Sequence, residues 1–175
     1  MVKNLIKIIL GTFSIVSCCY TGLRSEYGLP RKSIEGYKNT YNDIIDTMAV
    51  YYSYASFSSN YYQLGSENTY PYNAYSKFYS NGKVGLFIIE KETPIEQYIF
   101  DSKKAKMGYY EVDSVGNIKI KRLTIGDCTL YISESFGFVR GDSIILYRKS
   151  HPQHGEVLKK IKLPKENIEG QYPDW

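Results

Sequence analysis

The residues best suited to chemistry in this sequence are its two histidines, His151 and His154, which lie three positions apart with Glu156 close behind them. Two imidazoles and a carboxylate are groups that bind zinc, but structural zinc sites take four protein ligands and catalytic ones three. No cysteine or further histidine stands near them, and Pro152 and Gly155 interrupt the segment. We therefore expect a solvent-exposed hairpin loop here and no metal site.

Other signatures of catalysis are missing from the sequence. It contains no nucleophile elbow, no His-Glu-x-x-His, no phosphate-binding loop and no dinucleotide fingerprint. Glu90, Glu92 and Glu96 surround Pro94 in the manner of a hydrated turn. Arg140-Gly141-Asp142 resembles the tripeptide that integrins bind, yet the same residues suit a tight hairpin. The sequence predicts no catalytic residue and no cofactor.

The cysteines of the chain give the first positive indication of where the protein is located. Cys18 and Cys19 stand side by side at the end of an apolar run from Leu5 to Val16, which two lysines precede or interrupt. A positive segment followed by an apolar one is the order found in signal peptides. As a helix, this run would reach only roughly 18 Å, against about 30 Å for the hydrocarbon core of a bilayer. We expect a signal peptide over residues 1–17.

The stretch Ile15-Val16-Ser17-Cys18 resembles the lipobox of bacterial lipoproteins. In that family a branched apolar residue lies three positions before the cysteine and a small residue lies directly before it. The resemblance implies that the Cys18 thiol receives diacylglycerol, that cleavage makes Cys18 the first residue, and that further acyl chains such as palmitate anchor the protein. It implies attachment to the outer membrane on the periplasmic side. The alternatives are a short buried N-terminal helix or an uncleaved anchor.

Residues 18–46 are predicted to form a tether between the lipid and the folded domain. Glycines and a proline interrupt this segment, and it has no strand pattern. Behind Ser33, a plausible N-cap, a short helix is indicated by apolar residues at helical spacing, namely Ile34, Tyr37, Tyr41 and Ile44.

The charge balance argues against a nucleic-acid partner. The formal net charge of +4 falls to +2 without the two lysines of the signal peptide, and the basic runs near residues 103–106 and 159–162 are short. In an oxidising compartment Cys19 and Cys128 could pair. Cys128, however, begins a strand-like run with Leu130 and Ile132 on its inner side, so we expect a buried free thiol.

Residues 47–175 are predicted to form one antiparallel β domain. Asn81-Gly82, Gly116-Asn117 and Gly141-Asp142 are strong hairpin signals, and apolar residues alternate with lysines from Asn117 to Lys121. The candidate strands are Met48–Tyr54, Tyr75–Ser80, Lys83–Glu90, Gln97–Asp101, Gly108–Asp113, Asn117–Leu123, Cys128–Phe136, Ser143–Lys149 and Val157–Leu163. Sequential hairpins make a meander, and closure into a barrel or a strongly curled sheet would hide its edges.

The hairpin Phe78-Tyr79-Ser80-Asn81-Gly82 and the repeated units of a turn and an alternating strand resemble small lipocalin-like lipoproteins of bacterial envelopes. That resemblance implies a small barrel that binds a small apolar or amphipathic ligand, or that serves a structural role. A subunit that docks on an envelope protein and an enzyme with an unrecognised site are the alternatives.

Tyrosine is concentrated in the first half of the domain, where both faces of two candidate strands carry rings. A ring with a polar tip suits a binding surface and a half-buried strand alike. We predict a surface for a ligand or a partner formed by Tyr51, Tyr52, Tyr54, Tyr75 and Tyr79. The alternative is that these rings only stack across strands as part of the scaffold.

Overall fold

The computed structural model describes residues 20–34, 43–67, 69–127 and 129–175, which are built almost entirely from strands and loops. The strands are β1 (Val50–Ser58), β2 (Tyr61–Leu64), β3 (Tyr72–Phe78), β4 (Lys83–Glu90), β5 (Lys106–Val112), β6 (Asn117–Gly126), β7 (Thr129–Arg140), β8 (Ser143–Arg148) and β9 (His151–Ile161). Single turns of 3-10 helix occur at Gly65–Glu67, Ile95–Gln97, Ser102–Lys104 and Lys165–Asn167.

The strands form one antiparallel sheet in the order β2-β1-β3-β4-β5-β6-β7-β8-β9, and β9 returns to pair with β1. Eight strands, β1 and β3 to β9, therefore close into a barrel. β2 is an additional strand that folds back on the second half of β1, where Ala55 pairs with Leu64. The predicted meander that closes into a barrel is confirmed, and closure gives each of the eight strands a partner on both sides over part of its length.

The three predicted glycine hairpins are confirmed. They join β3 to β4, β5 to β6 and β7 to β8, with positive φ angles of 71° at Gly82, 89° at Gly116 and 57° at Gly141. Glycine takes this left-handed conformation without the steric clash that a Cβ brings. These three turns lie at one end of the barrel, the end at which β1 begins; we call it the closed end.

Three sequence-based assignments of local structure were wrong. Gln97–Asp101 is not a strand but a loop after a 3-10 turn, since Phe100 is buried by packing on the outside of the barrel. β2 was missed, because the turn that precedes its four residues is Ser59-Asn60 and contains no glycine. The predicted histidine loop is the start of β9, which pairs with β8 through an irregular register near Arg148.

The interior of the barrel is packed with apolar side chains only in its half near the closed end. This interior core comprises Ile45, Tyr51, Phe78, Val84, Tyr110, Val112, Ile118, Ile120, Ile144, Leu146 and Leu158. Phe78 lies edge-on to Tyr51 and Tyr110, with ring centroids 5.2 and 5.0 Å apart. Ile45 precedes β1 and belongs to this core, so the chain entering the barrel helps to fill that end.

A second apolar layer covers the outer face of β1, β3 and β4. Val50, Tyr75, Phe87 and Ile89 are buried there beneath Phe100 and Ile168. On the inner face of β4, Val84 belongs to the interior core, whereas Ile88 farther along that face is 43% exposed. The covering residues come from the connection between β4 and β5 and from the segment after β9.

The first described segment, residues 20–34, which the sequence analysis assigns to the tether, lies against the barrel. Its anchor is Arg31, whose side chain is only 6% exposed and whose Nε donates to Asp174 at 2.7 Å. The same guanidinium donates to the carbonyl oxygens of Ser102, Lys103 and Ala105 and lies 4.8 Å from the ring centroid of Trp175. The two terminal segments of the fold are therefore joined through one buried arginine.

Several sequence predictions fall outside the described residues. These are the signal peptide and lipid site at residues 1–19, the buried thiol of Cys128, and the middle of the predicted helix with Tyr37 and Tyr41. Ile34, the first apolar residue of that helix, is buried against Met107 and Tyr109 on the outside of the barrel.

Candidate ligand-binding site

The five tyrosines predicted to bind do not share one face of the sheet. Tyr51 points into the barrel, and the Tyr51 hydroxyl accepts a hydrogen bond from the backbone N–H of Asp46 at 3.1 Å. Tyr52 and Tyr75 stack on the outside, where Tyr75 is buried. Tyr79 is also buried, and the ring of Tyr54 lies 3.5 Å from the ammonium of Lys159. The burial of three rings favours the scaffold alternative, and their binding role stays a prediction.

The half of the barrel interior away from the closed end, which we call the open half, is polar. The β6–β7 register pairs Ile120 with Ser135 and Arg122 with Ser133, and therefore puts these serines on the inner face. Leu130 and Ile132 consequently face outward, which corrects the inner side predicted for them; Ile132 is 46% exposed. The inner face changes from apolar to polar within β6, between Ile120 and Arg122.

The centre of the open half is an ion pair between Arg122 on β6 and Glu156 on β9. Their Nη1 and Oε1 atoms are 3.2 Å apart, and the side chains are 17% and 31% exposed. Ser53 donates to Glu156 Oε2 at 3.3 Å, and Arg122 Nη2 donates to Ser76 at 3.4 Å. The buried Nε of Arg122 donates to no atom of the described residues.

A cavity of about 500 Å³ opens above this ion pair, between β6 and β9. Besides Arg122 and Glu156, its walls include the hydroxyl residues Ser133 and Ser135 and, toward the rim, Arg148 and His154. Two arginines and two histidines line the cavity, against the two carboxylates of Glu134 and Glu156. The cavity can therefore offer donors and positive charge to a polar or anionic group.

A smaller cavity of about 160 Å³ lies on the other side of the polar centre. Ser53, which donates to Glu156, lines it together with Leu64, Tyr72 and Ile88. Exposed tyrosine rings stand around this side of the barrel: Tyr61, Tyr62, Tyr70 and Tyr72. The polar centre thus has apolar and aromatic surface close to it.

The sequence contained one signal that locates this site. Ile118 and Ile120 alternate with lysines on β6, and Arg122 is the next residue on the same face of the strand. Extending the alternation would have placed a cation on the inner face of the barrel. Its partner carried no comparable signal, because Glu156 lies in the segment interpreted as an exposed loop.

The histidine pair lies on the rim of the cavity. The rings of His151 and His154 are 6.2 Å apart between centroids, and His151 Nδ1 lies 2.9 Å from the Ser150 hydroxyl. Within the described ranges, no three side chains of histidine, cysteine, aspartate or glutamate come together as a possible metal site.

A buried lysine, Lys77, lies on the outside of β3 near the closed end. Its ammonium donates to the carbonyl oxygen of Thr47 and lies 5.7 Å from the ring centroid of Tyr79. Burial lowers the pKa of Lys77 to about 8, against the opposing effect of the nearby Asp46 carboxylate.

The lowered pKa of Lys77 predicts a rise of stability with pH. Above pH 8, and up to the ordinary lysine pKa, the unfolded chain holds a proton that the folded chain has released, so the free energy of unfolding increases. Between pH 8 and pH 10 the contribution is about 2 kcal/mol. Urea unfolding at several pH values measures it: the free energy of unfolding of the wild type minus that of Lys77→Met should grow as the pH rises. Lys106→Met, at an exposed position, is the control. A difference that stays constant with pH contradicts the assignment.

Comparisons of the chain with protein-family models, with curated proteins and with solved structures give no match. In the part of the chain that the structure describes, no helix combines the length and the apolarity needed to cross a bilayer. Inference about function therefore rests on the site itself.

Proposed function

We propose that this protein is a lipid-anchored envelope lipoprotein whose barrel binds a small amphipathic ligand in its open half. The observation that carries the proposal is the Arg122–Glu156 ion pair at the floor of an open cavity. Cavities of about 300–1,000 Å³ with a few convergent polar groups are typical of small-molecule sites.

An ion pair between Arg122 and Glu156 inside the barrel is an expensive way to stabilise a fold. Desolvating a guanidinium and a carboxylate costs several kcal/mol per ion, and well-packed apolar residues often stabilise a fold equally well or better. This same barrel packs apolar residues in its other half, from Phe78 to Leu158. A polar interior confined to the half that has an open cavity supports a binding role.

The charges of the cavity favour a ligand whose head group accepts hydrogen bonds. Arg122 has an unused buried donor at Nε, and Arg148 and His154 can add donors at the rim. A carboxylate or phosphate would accept from such groups, and charge-assisted hydrogen bonds are roughly twice as strong as neutral ones. The rest of the ligand would contact the apolar surfaces beside the polar centre.

The anchoring half of the proposal rests on the lipobox Ile15-Val16-Ser17-Cys18. Acyl chains contribute about 0.8 kcal/mol per buried CH₂, so several chains on Cys18 would hold the barrel on a membrane. The Cys18→Ser variant is expected to lose labelling by a palmitate analogue and to leave the membrane fraction, whereas Cys19→Ser keeps both. Membrane retention of Cys18→Ser would refute the assignment.

Binding is tested by native mass spectrometry of protein purified from its own envelope, followed by titration with dodecanoate. We expect native mass spectrometry to show a retained small molecule, or the titration to show saturable binding of dodecanoate. Ser135→Phe should abolish the binding, because the added ring fills the cavity. Ile132→Phe, at an exposed, outward-facing position of the same strand, is the matched control. Equal binding by both variants, each with an unchanged thermal melt, would place the ligand elsewhere.

Docking on an envelope protein is the second candidate, favoured by the exposed rings of Tyr61 and Tyr62 on the additional strand β2. Exposed tyrosines of this kind are enriched at protein interfaces. A photo-crosslinking residue at Tyr62 would give one adduct of defined mass in intact cells. The same residue at Val115, exposed at the closed end, is the control and should give none.

A further inference from the structure

The wall of the barrel is incomplete between β4 and β6. Pairing of β4 with β5 stops at Leu86–Lys106, because β5 begins at Lys106, and pairing of β5 with β6 stops at Gly108–Arg122. Beyond these pairs β4 continues to Glu90 and β6 to Gly126. The two strands therefore flank a gap in the sheet, which we call the side opening.

The side opening contains a cavity of about 410 Å³ with a mainly apolar lining. Its apolar residues are Leu29, Pro30, Leu86, Met107, Leu123 and Ile125. Arg122 and Ser133 line this cavity and also the cavity above the ion pair. The Arg122 guanidinium therefore borders both the polar cavity above the ion pair and the apolar cavity of the side opening.

We infer that the side opening holds the acyl chain of the ligand while the head group of the same molecule lies at Arg122. This inference rests on the proposed function and names its ligand class as a single-chain lipid with an anionic head. An apolar chain gains free energy by leaving water for such a lining. The shared lining lets one molecule satisfy both halves of the site.

The N-terminal segment places the side opening on the membrane side of the barrel. Leu29 and Pro30 form part of the opening, and the Tyr20 hydroxyl donates to the Arg31 carbonyl at 3.1 Å. Tyr20 is two positions after Cys18, a distance of at most about 7 Å along an extended chain. A lipid on Cys18 would therefore hold this side of the barrel near the bilayer, from which a single-chain lipid could come.

The test uses dodecanoate brominated along its chain, because bromine quenches tryptophan at short range. Trp175, the one tryptophan of the chain, packs against the cluster that contains Met107 and Leu123 at the opening. We expect saturable quenching of Trp175 by the brominated acid and none by brominated butyrate, which is too short to reach past the head-group position.

Two exposed isoleucines supply matched variants. Ile125 lines the opening and is 42% exposed, whereas Ile132 lies outside the lining and is 46% exposed. Ile125→Glu is expected to weaken dodecanoate binding by about ten-fold or more, and Ile132→Glu to change it less than about two-fold. Binding without quenching and with equal affinity in both variants would overturn the side opening but leave the proposed function standing. No binding of dodecanoate by the wild type would overturn the inference, and it would remove the proposed function as well if native mass spectrometry also shows no retained small molecule.

Discussion

Replacing Arg122 by methionine is expected to lower the free energy of unfolding by about 3 kcal/mol, because it leaves Glu156 charged and unpaired inside the barrel. The double variant Arg122→Met/Glu156→Leu should recover most of this loss, since neither charge then remains. Urea unfolding with an unchanged m-value measures both effects. The exposed pair Lys119–Glu134, 3.1 Å apart on the adjacent strands β6 and β7, is the control, and Lys119→Met should cost less than about 1 kcal/mol.

The same double variant separates stability from function. If the polar centre binds the head group of the ligand, the recovered protein should fold and yet fail to bind dodecanoate. Recovery of stability together with wild-type binding would contradict the role of Arg122 as the head-group donor. Failure of the double variant to recover stability would show that the ion pair holds the barrel together in a way that apolar packing cannot replace.

The barrel was predictable from local patterns. The glycines at positions 82, 116 and 141 fix three hairpins, and alternation between Asn117 and Leu123 fixes the inner face of β6. Such signals act between residues close in sequence. β2 was missed because its four residues contain neither a glycine turn nor an alternation long enough to count.

The candidate site was less predictable, because its contacts depend on closure of the barrel. Arg122 and Glu156 are 34 positions apart and meet across the interior. Phe100 belongs to the predicted strand Gln97–Asp101, whereas in the structure it is buried as part of an outer covering layer. The sequence pattern shows that these side chains need burial but does not say which surface buries them, because that surface comes from distant strands.

The largest loss of stability outside the polar centre is expected for Arg31→Met, at about 3–5 kcal/mol. Arg31 is 6% exposed, and one guanidinium serves the Asp174 carboxylate and three backbone carbonyls between Ser102 and Ala105. Methionine keeps the apolar stem but removes the guanidinium donors from these acceptors, of which the Ser102 carbonyl still accepts from the Ala105 N–H. A buried acceptor that loses its partner keeps the full cost of desolvation.

Loss of Arg31 should also release the C-terminal residues, which makes the prediction specific to its contacts. Trp175 lies beneath the Arg31 guanidinium, edge-on to Tyr79 at 6.3 Å, and its Nε1 donates to the Gly108 carbonyl at 3.3 Å. We expect its emission to shift to the red in Arg31→Met under native conditions, with a smaller shift in Asp174→Asn, which keeps the ring contact. Arg24→Met removes an exposed arginine of the same segment and should leave the spectrum unchanged. A buried emission spectrum in Arg31→Met, together with the full loss of stability, would contradict the release. The C-terminal residues would then be held by their other contacts, which include those of Trp175 with Lys83, Tyr79 and Gly108.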